Sequence, residues 1–232
     1  MNASLLITTR NRARQLDLSL QSITEKNYPD LEGIVWDDSS MDDTAAVVAN
    51  YPGTTYRKHE HSGAYVRNPG GIINAGHKAC ACPIIIEQCA EVFHITDCIT
   101  PLLKLCRPGL VVLARVYNGS PTHLKLLRDE INAGRYIFPD DYYPEIIITR
   151  GDQLPVPRVG RNLIQLYCGI ERPAPFLWLG AIHRDDFNSI GGYNEALQTN
   201  GDGDMAARLW AAGIRFCFSG HAVAFHQEHD KR

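Results

Sequence analysis

Strand-sized apolar runs alternate with amphipathic helical stretches from the first residues of the chain, and this alternation restricts the folds open to it. Ser4 to Thr9 reads as a strand, after which Leu16, Leu20 and Ile23 fall on one helical face. Leu31 to Trp36 is a second strand, and in the following DDSSMDDT Ser40 stands three residues before Asp43. That spacing predicts a capping-box-like start for a helix carrying Ala45, Val48 and Ala49. A third unit opens with Asn68 and Pro69, a cap and a first-turn proline, and runs through Ile72, Ile73 and Gly76 to a strand at Ile84 to Glu87. Repeated β-α-β spacing predicts a mostly parallel central sheet flanked by helices.

The later part is less regular. Val111 to Tyr117 reads as a strand, and Leu124, Leu127 and Ile131 mark a helix ended by Gly134. Residues 135–175 are too rich in proline for a β-α repeat and predict a loop or excursion. The pattern then recovers with a strand FLWLGAI, a turn GGYNEAL, a helix bearing Met205 and Leu209, and two strands, IRFCF and AVAFH.

The 232 residues suit one domain. A net charge of −3 gives no global basic field, which argues against nucleic acid as a partner. No apolar run approaches the roughly 20 residues that span a bilayer, so no transmembrane segment is expected, and the chain reads as cytoplasmic, peripheral to the membrane at most. The seven cysteines read as reduced core thiols, since paired C-x-x-C spacing for zinc is lacking. RGD at Arg150 to Asp152 reads as a loop tripeptide.

In parallel sheets ligands sit outside the carboxyl ends of the strands. Those ends here are Thr8-Thr9-Arg10, Asp37-Asp38 and Gln88 to Glu91, all polar. Taken alone, DDSS fits a mere turn and helix cap as well as it fits a binding site. GGIINAG lacks the G-K-[ST] ending of a phosphate loop, and no G-x-G-x-x-G stands between a strand and a helix, so kinase, ATPase and dehydrogenase readings lose support.

The order TTRNR, WDDSSMDDT, YVRNPGGIINAG, CAEV, GAIHRDDFNSIGGYNEAL, GDGDMAARL and FHQEH resembles the family 2 glycosyltransferases of GT-A fold, from Leu5 to about His229. The resemblance implies a GT-A-like, Rossmann-like α/β domain over 1–232, with a nucleotide-sugar half at 1–118 and an acceptor half at 119–232. It implies inverting transfer of a sugar from a nucleotide-diphospho-sugar, a UDP-sugar first, to a glycan, lipid-linked or protein acceptor in surface polysaccharide synthesis.

By that resemblance Thr8, Arg10, Asp37 and Asp38 approach the nucleoside, where a carboxylate accepts from a ribose hydroxyl or base N–H. Arg67 faces the donor phosphates, or is a solvated surface residue. The family's metal-binding Asp-x-Asp is here Cys89-Ala90-Glu91, so Glu91, with His226 and with His229 in reserve, is left to hold Mn²⁺ or Mg²⁺. The Glu-Asp pair that carries the general base becomes Gly201-Asp202, making Asp202 the first candidate base and Asp204 the second; either also suits a helix cap. Trp178 and Gly180 floor the acceptor pocket or merely pack. Two rivals are a sugar-nucleotide or glycan binding module that has lost turnover, and a sugar-nucleotide pyrophosphorylase. The latter normally needs a glycine-rich amino-terminal loop, which LLITTRNRARQL lacks.

Overall fold

The computed structural model describes residues 3–61, 68–145, 147, 177–199 and 201–229, with backbone alone at 158–159 and 164–168. Arg67 and the RGD tripeptide lie outside the described residues. The amino-terminal units form as the periodicity requires: β1 (Ala3–Thr9), α1 (Ala13–Thr24), β2 (Leu31–Asp37), α2 (Thr44–Ala49), β3 (Thr54–Lys58), α3 (Pro69–Ala79) and β4 (Ile84–Cys89). Leu16 and Leu20 of α1 are buried, with Ile23 packed against the same core. Asn68 caps α3, its Oδ1 accepting from Gly71 N at 2.9 Å, and Pro69 occupies the first turn. The capping box expected at α2 is not made. Asp43 is the N-cap without a side-chain bond, and the Ser40 hydroxyl turns instead to Asp37.

The remaining elements are β5 (Val92–His94), α4 (Ile99–Leu105), β6 (Leu110–Gly119), α5 (Pro121–Asn132), β7 (Arg158–Val159), β8 (Ile164–Cys168), β9 (Leu179–His183), α6 (Arg184–Ser189), α7 (Gly201–Ala211) and β10 (Arg215–Gln227). The main path of the sheet runs β3-β2-β1-β4-β9-β6-β10-β5. Its first four strands are parallel; β9 runs antiparallel to both β4 and β6. The stretch expected as a plain excursion holds a β7–β8 hairpin, with β8 on β6. The two strands expected at the carboxyl end are one, β10, whose pairing with β6 shifts register between Phe218 and Val223.

β1 is central because both its faces are covered: Leu5 and Ile7 join the main core, while Leu6 packs with Ile34, Cys80 and Ile85 on the other face. Each such side chain contributes about 1.5–3 kcal/mol by leaving water. Among the described cysteines, Cys80, Cys98, Cys106 and Cys217 are buried free thiols, as composition suggested. No helix among the described residues is long and apolar enough to cross a membrane.

Candidate active site

The carboxyl ends of β1, β2 and β4 are level, with Thr9 opposite Asp37 and Thr8 opposite Cys89. The chain passes from β1 to β2 on one side and later returns to β4 on the other, so the crevice lies where strand order reverses. Its rim is locked by bonds between the β1–α1 and β2–α2 loops. Asn11 N donates to Ser40 Oγ at 2.8 Å, Met41 N to Asn11 Oδ1 at 2.8 Å, and Ala13 N to Asp42 Oδ2 at 2.9 Å. Arg10 Nη1 donates to the Asp38 carbonyl. Asn11 and Ser39 adopt left-handed conformations, φ 50° and 56°, which turn both loops sharply back across the strand ends. Burial works to raise the Asp42 carboxyl, but donors from Thr44 and Ala13 outweigh it and hold the group below its ordinary value.

Asp37 is a core residue rather than an acid open to the nucleoside. It is fully buried; Oδ1 accepts from Ser40 N and Ser40 Oγ at 2.9 and 2.5 Å, and Oδ2 from Tyr56 OH at 2.5 Å. Its carbonyl accepts from His59 N at 2.7 Å. Asp37 therefore builds the loop, and Asp38 is the acid beside His61, whose Nε2 lies 2.6 Å from Asp38 Oδ1. Thr8 is half-buried at the end of β1, its carbonyl accepting from Ala90 N at 3.3 Å.

Glu91 sits in the turn between β4 and β5, and its main-chain carbonyl accepts from Gln227 N at 2.9 Å, next to His226. Arg12 Nε donates to Glu91 Oε1 at 2.7 Å, and His229 Nε2 lies 3.6 Å from the same oxygen. Arg12 also reaches His229 Nδ1 with Nη2 at 3.0 Å. The Trp178 and His226 rings pack at 4.4 Å between centroids with a 34° tilt, and the His226 and His229 ring centroids stand 5.5 Å apart. Burial pushes the His226 imidazole down to about 4; Glu91 opposes this, and His229 and Arg12 reinforce it. The ring is thus neutral near pH 7, the form that ligates metal. Among the described residues no three His, Cys, Asp or Glu side chains converge to hold an ion unaided. A hard carboxylate and a neutral imidazole do fit a divalent cation that keeps waters and takes oxygens from a diphosphate.

Asp202 and Asp204 both lie in the first turn of α7, but their surroundings separate them. Asp204 forms an i,i+4 ion pair with Arg208, 2.7 Å from Oδ2 to Nη2, rather than a cap. Asp202 Oδ1 is 3.4 Å from Tyr193 OH, which donates to Glu87 Oε2 at 2.8 Å. The Cys89 thiol is raised well above its ordinary value, first by burial and then by Glu91, Asp202 and Glu87. Carboxylates from β4, its following turn and α7 thus all act electrostatically on one thiol. Gly180 belongs to packing, since a Cβ there would lie 2.6 Å from Leu113 Cδ2 and 2.7 Å from Leu177 Cδ2.

Arg12, His77, Glu87 and Tyr193 were not among the sequence candidates. A glutamate directly after the isoleucine run of β4 was the available signal for Glu87. Arg12 had the second arginine of TTRNR, whereas His77 and Tyr193 reach Glu87 only through the fold.

No curated protein sequence matches the chain. Among solved structures it is similar to the mannosyltransferase PcManGT of Pyrobaculum calidifontis, in complex with GDP-Man and Mn²⁺: TM-score 0.64, 17% identity, over 97% of this chain and 56% of that one. It is similar to S. aureus TarS 1–349 in complex with UDP-GlcNAc, with TM-score 0.62 and 15% identity over 100% and 60%. GalNAc-T7 with UDP, GalNAc and Mn²⁺ aligns at TM-score 0.64 and 13% identity over 99% and 44%. The chain thus spans about half the length of these proteins, and at such identities the likeness establishes the GT-A fold alone. The model of glycosyl transferase family 2 matches residues 4–161, more than half of the sequence, and the chain belongs to that family.

Proposed function

We propose that the chain is an inverting glycosyltransferase that moves a sugar from a nucleotide-diphospho-sugar to a glycan, lipid-linked or protein acceptor. The observation that carries this reading is the approach of Asp202 from α7 to β4, bridged by Tyr193 to Glu87, beside the locked rim of β1 and β2. Residues 1–118 hold the donor and 119–232 the acceptor. Asp38 and Arg10 bound the nucleoside end; Asp37 acts through the loop it braces.

Glu91 and His226 would hold Mn²⁺ or Mg²⁺, which supplies positive charge to the departing diphosphate. Arg12 keeps Glu91 oriented and adds fixed charge at the same end of the crevice. The Asp202 carboxylate takes the proton of the acceptor hydroxyl. The acceptor oxygen forms its bond to the anomeric carbon on the face opposite the diphosphate, which leaves with the electrons of the broken bond. UDP-sugars are the first donors to test and GDP-mannose the second, since relatives of this fold were solved with both nucleotide types. A second reading, a binding module without turnover, is favoured by Cys89 at the position of the first family acid.

Titration calorimetry with UDP and GDP, in Mn²⁺ and in chelator, tests the reading. Binding of one nucleotide, weakened by chelator, is expected. Absence of binding to either refutes transfer from UDP- or GDP-sugars and a module that binds them; binding together with donor turnover excludes the module.

A further inference from the structure

Glu87 lies in the middle of β4, only 4% exposed, and its two oxygens face two different elements. Oε1 is 2.7 Å from His77 Nε2 of α3, and Oε2 accepts from Tyr193 OH at 2.8 Å. The same hydroxyl stands 3.4 Å from Asp202 Oδ1. A phenol has one proton, so two carboxylates compete for it: the short bond goes to buried Glu87 and the long contact to Asp202, the candidate base. His77 is stacked on Phe187, 3.6 Å between centroids at 10°, and its Nδ1 has no hydrogen-bond partner among the described residues. The ring's polar interaction thus points along the chain His77, Glu87, Tyr193, Asp202.

The surroundings fix Tyr193 tightly. Asn74 of α3 holds its backbone at both ends: Tyr193 N donates to Asn74 Oδ1 and Asn74 Nδ2 to Tyr193 O, each at 2.9 Å. Gly192 precedes it at φ 72°, and a Cβ there would lie 2.5 Å from Asn74 Oδ1, so the turn admits no larger residue without displacing the clamp. The titratable groups that face the phenol are Glu87 and Cys89 from β4 and Asp202 from α7; its ionisation is pushed well above the ordinary value by burial, Glu87 and Asp202, so it stays a donor. A side chain needed only for packing would do as well as phenylalanine here. The hydroxyl is placed instead where α7 and β4 meet through polar atoms.

We propose that Tyr193 is a positioning residue for the transfer reaction: its hydroxyl ties Asp202 to the buried Glu87–His77 pair and fixes the direction in which the Asp202 carboxylate meets the acceptor hydroxyl. This rests on Asp202 being the base. Tyr193→Phe removes the donor and keeps the ring. An ionised carboxylate that loses a donor becomes harder to ionise, so the acid limb of the pH–rate profile moves to higher pH. Glu87→Gln weakens the competing acceptor and removes a nearby negative charge, so the limb moves to lower pH. Opposite shifts from two neighbours are not produced by general loosening of the core.

The experiment measures Mn²⁺-supported release of nucleoside diphosphate from UDP-GlcNAc and GDP-mannose across pH, in the parent, Tyr193→Phe, Glu87→Gln and Asp202→Asn. Chemical unfolding of Tyr193→Phe, Asp202→Asn and their double variant runs alongside and needs no turnover. Expected are a roughly tenfold lower kcat for Tyr193→Phe at unchanged KM, limbs shifted in opposite directions, and non-additive stabilities for the pair. If Asp202→Asn keeps parental turnover, the base assignment fails, whatever Tyr193 does. If Asp202→Asn is inactive while Tyr193→Phe keeps the parental kcat and limb, or if the two stabilities simply add, the positioning role fails. Should Tyr193→Phe not fold, the Glu87→Gln limb decides: a shift to lower pH supports the tie, and an unmoved limb overturns it.

Discussion

Asp37→Ala separates an acid that builds the rim from one that merely decorates it. The substitution leaves Ser40 N and Tyr56 OH without the acceptor they now share, and also frees the Ser40 hydroxyl. Each orphaned buried donor costs about 1–3 kcal/mol. Ser40 is 9% exposed, so its amide has little water to turn to, whereas half-buried Tyr56 recovers part of its loss. The sum is about 2–5 kcal/mol. With a urea m-value of about 2 kcal/mol per M, the unfolding midpoint should fall by about 1–2.5 M. Tyr56→Phe, which removes one donor and leaves Asp37 paired with Ser40, should lower stability by about 1 kcal/mol. An Asp37→Ala midpoint within about 0.2 M of the parent, at the same m-value, would refute the reasoning, for it would mean that the carboxylate is not braced as described. Asp38→Ala removes a buried carboxylate beside His61; it is expected to weaken UDP or GDP binding and to lower the midpoint by less than Asp37→Ala, since half-buried His61 recovers part of its loss from water.

Glu91→Gln should abolish the Mn²⁺-dependent part of nucleotide affinity in calorimetry, because a neutral amide is a poor ligand for a hard cation. Cys89→Asp adds a fourth carboxylate beside Glu87, Glu91 and Asp202; its melting temperature should drop in chelator and recover with Mn²⁺. Asp204→Asn breaks a partly exposed i,i+4 pair with Arg208, and a stability loss of no more than about 0.5 kcal/mol with normal turnover is expected by urea unfolding and rate assay. Burial holds His94 down to about 3 against an ordinary 6.5, so the unfolded chain binds the extra proton between those values. This contribution to stability is complete above about pH 6.5 and is lost as pH falls toward 3, at up to about 1.4 kcal/mol per pH unit. His94→Asn should flatten the stability–pH curve between about pH 4 and 6.

The parallel half of the sheet was legible because β1, β2 and β4 are buried strands joined by helices with clear apolar faces, a pattern contained within local sequence. β3, Thr54–Lys58, escaped notice: an edge strand, it exposes Thr55, Arg57 and Lys58 and shows no apolar run. β9 was expected as a strand, but not its place between β4 and β6, because pairing Ile84 with His183 is a long-range choice that no local window contains. The candidate site is a different matter. Glu91, His226 and Asp202 were picked from ordered motifs as what the resemblance implies, and the fold sets Asp202 near β4 through Tyr193 and lays β10 beside the Glu91 turn. The burial of Asp37 depends on Tyr56, and the tie from Asp202 to Glu87 on Tyr193; both are tertiary bonds between residues that carry no mark of partnership in the sequence. The choice of Arg208 over a cap by Asp204 depended on where α7 begins, and boundaries are the least sequence-determined feature of a helix.

The central claim is transfer chemistry with Asp202 as base, and the most direct test is single-turnover release of nucleoside diphosphate by parent and Asp202→Asn at equal, saturating donor with Mn²⁺. The expected result is release by the parent and a rate about 10²–10⁴-fold lower in the variant, with donor affinity nearly unchanged. Equal rates in the two proteins, or a loss wholly explained by weaker donor binding, would contradict it.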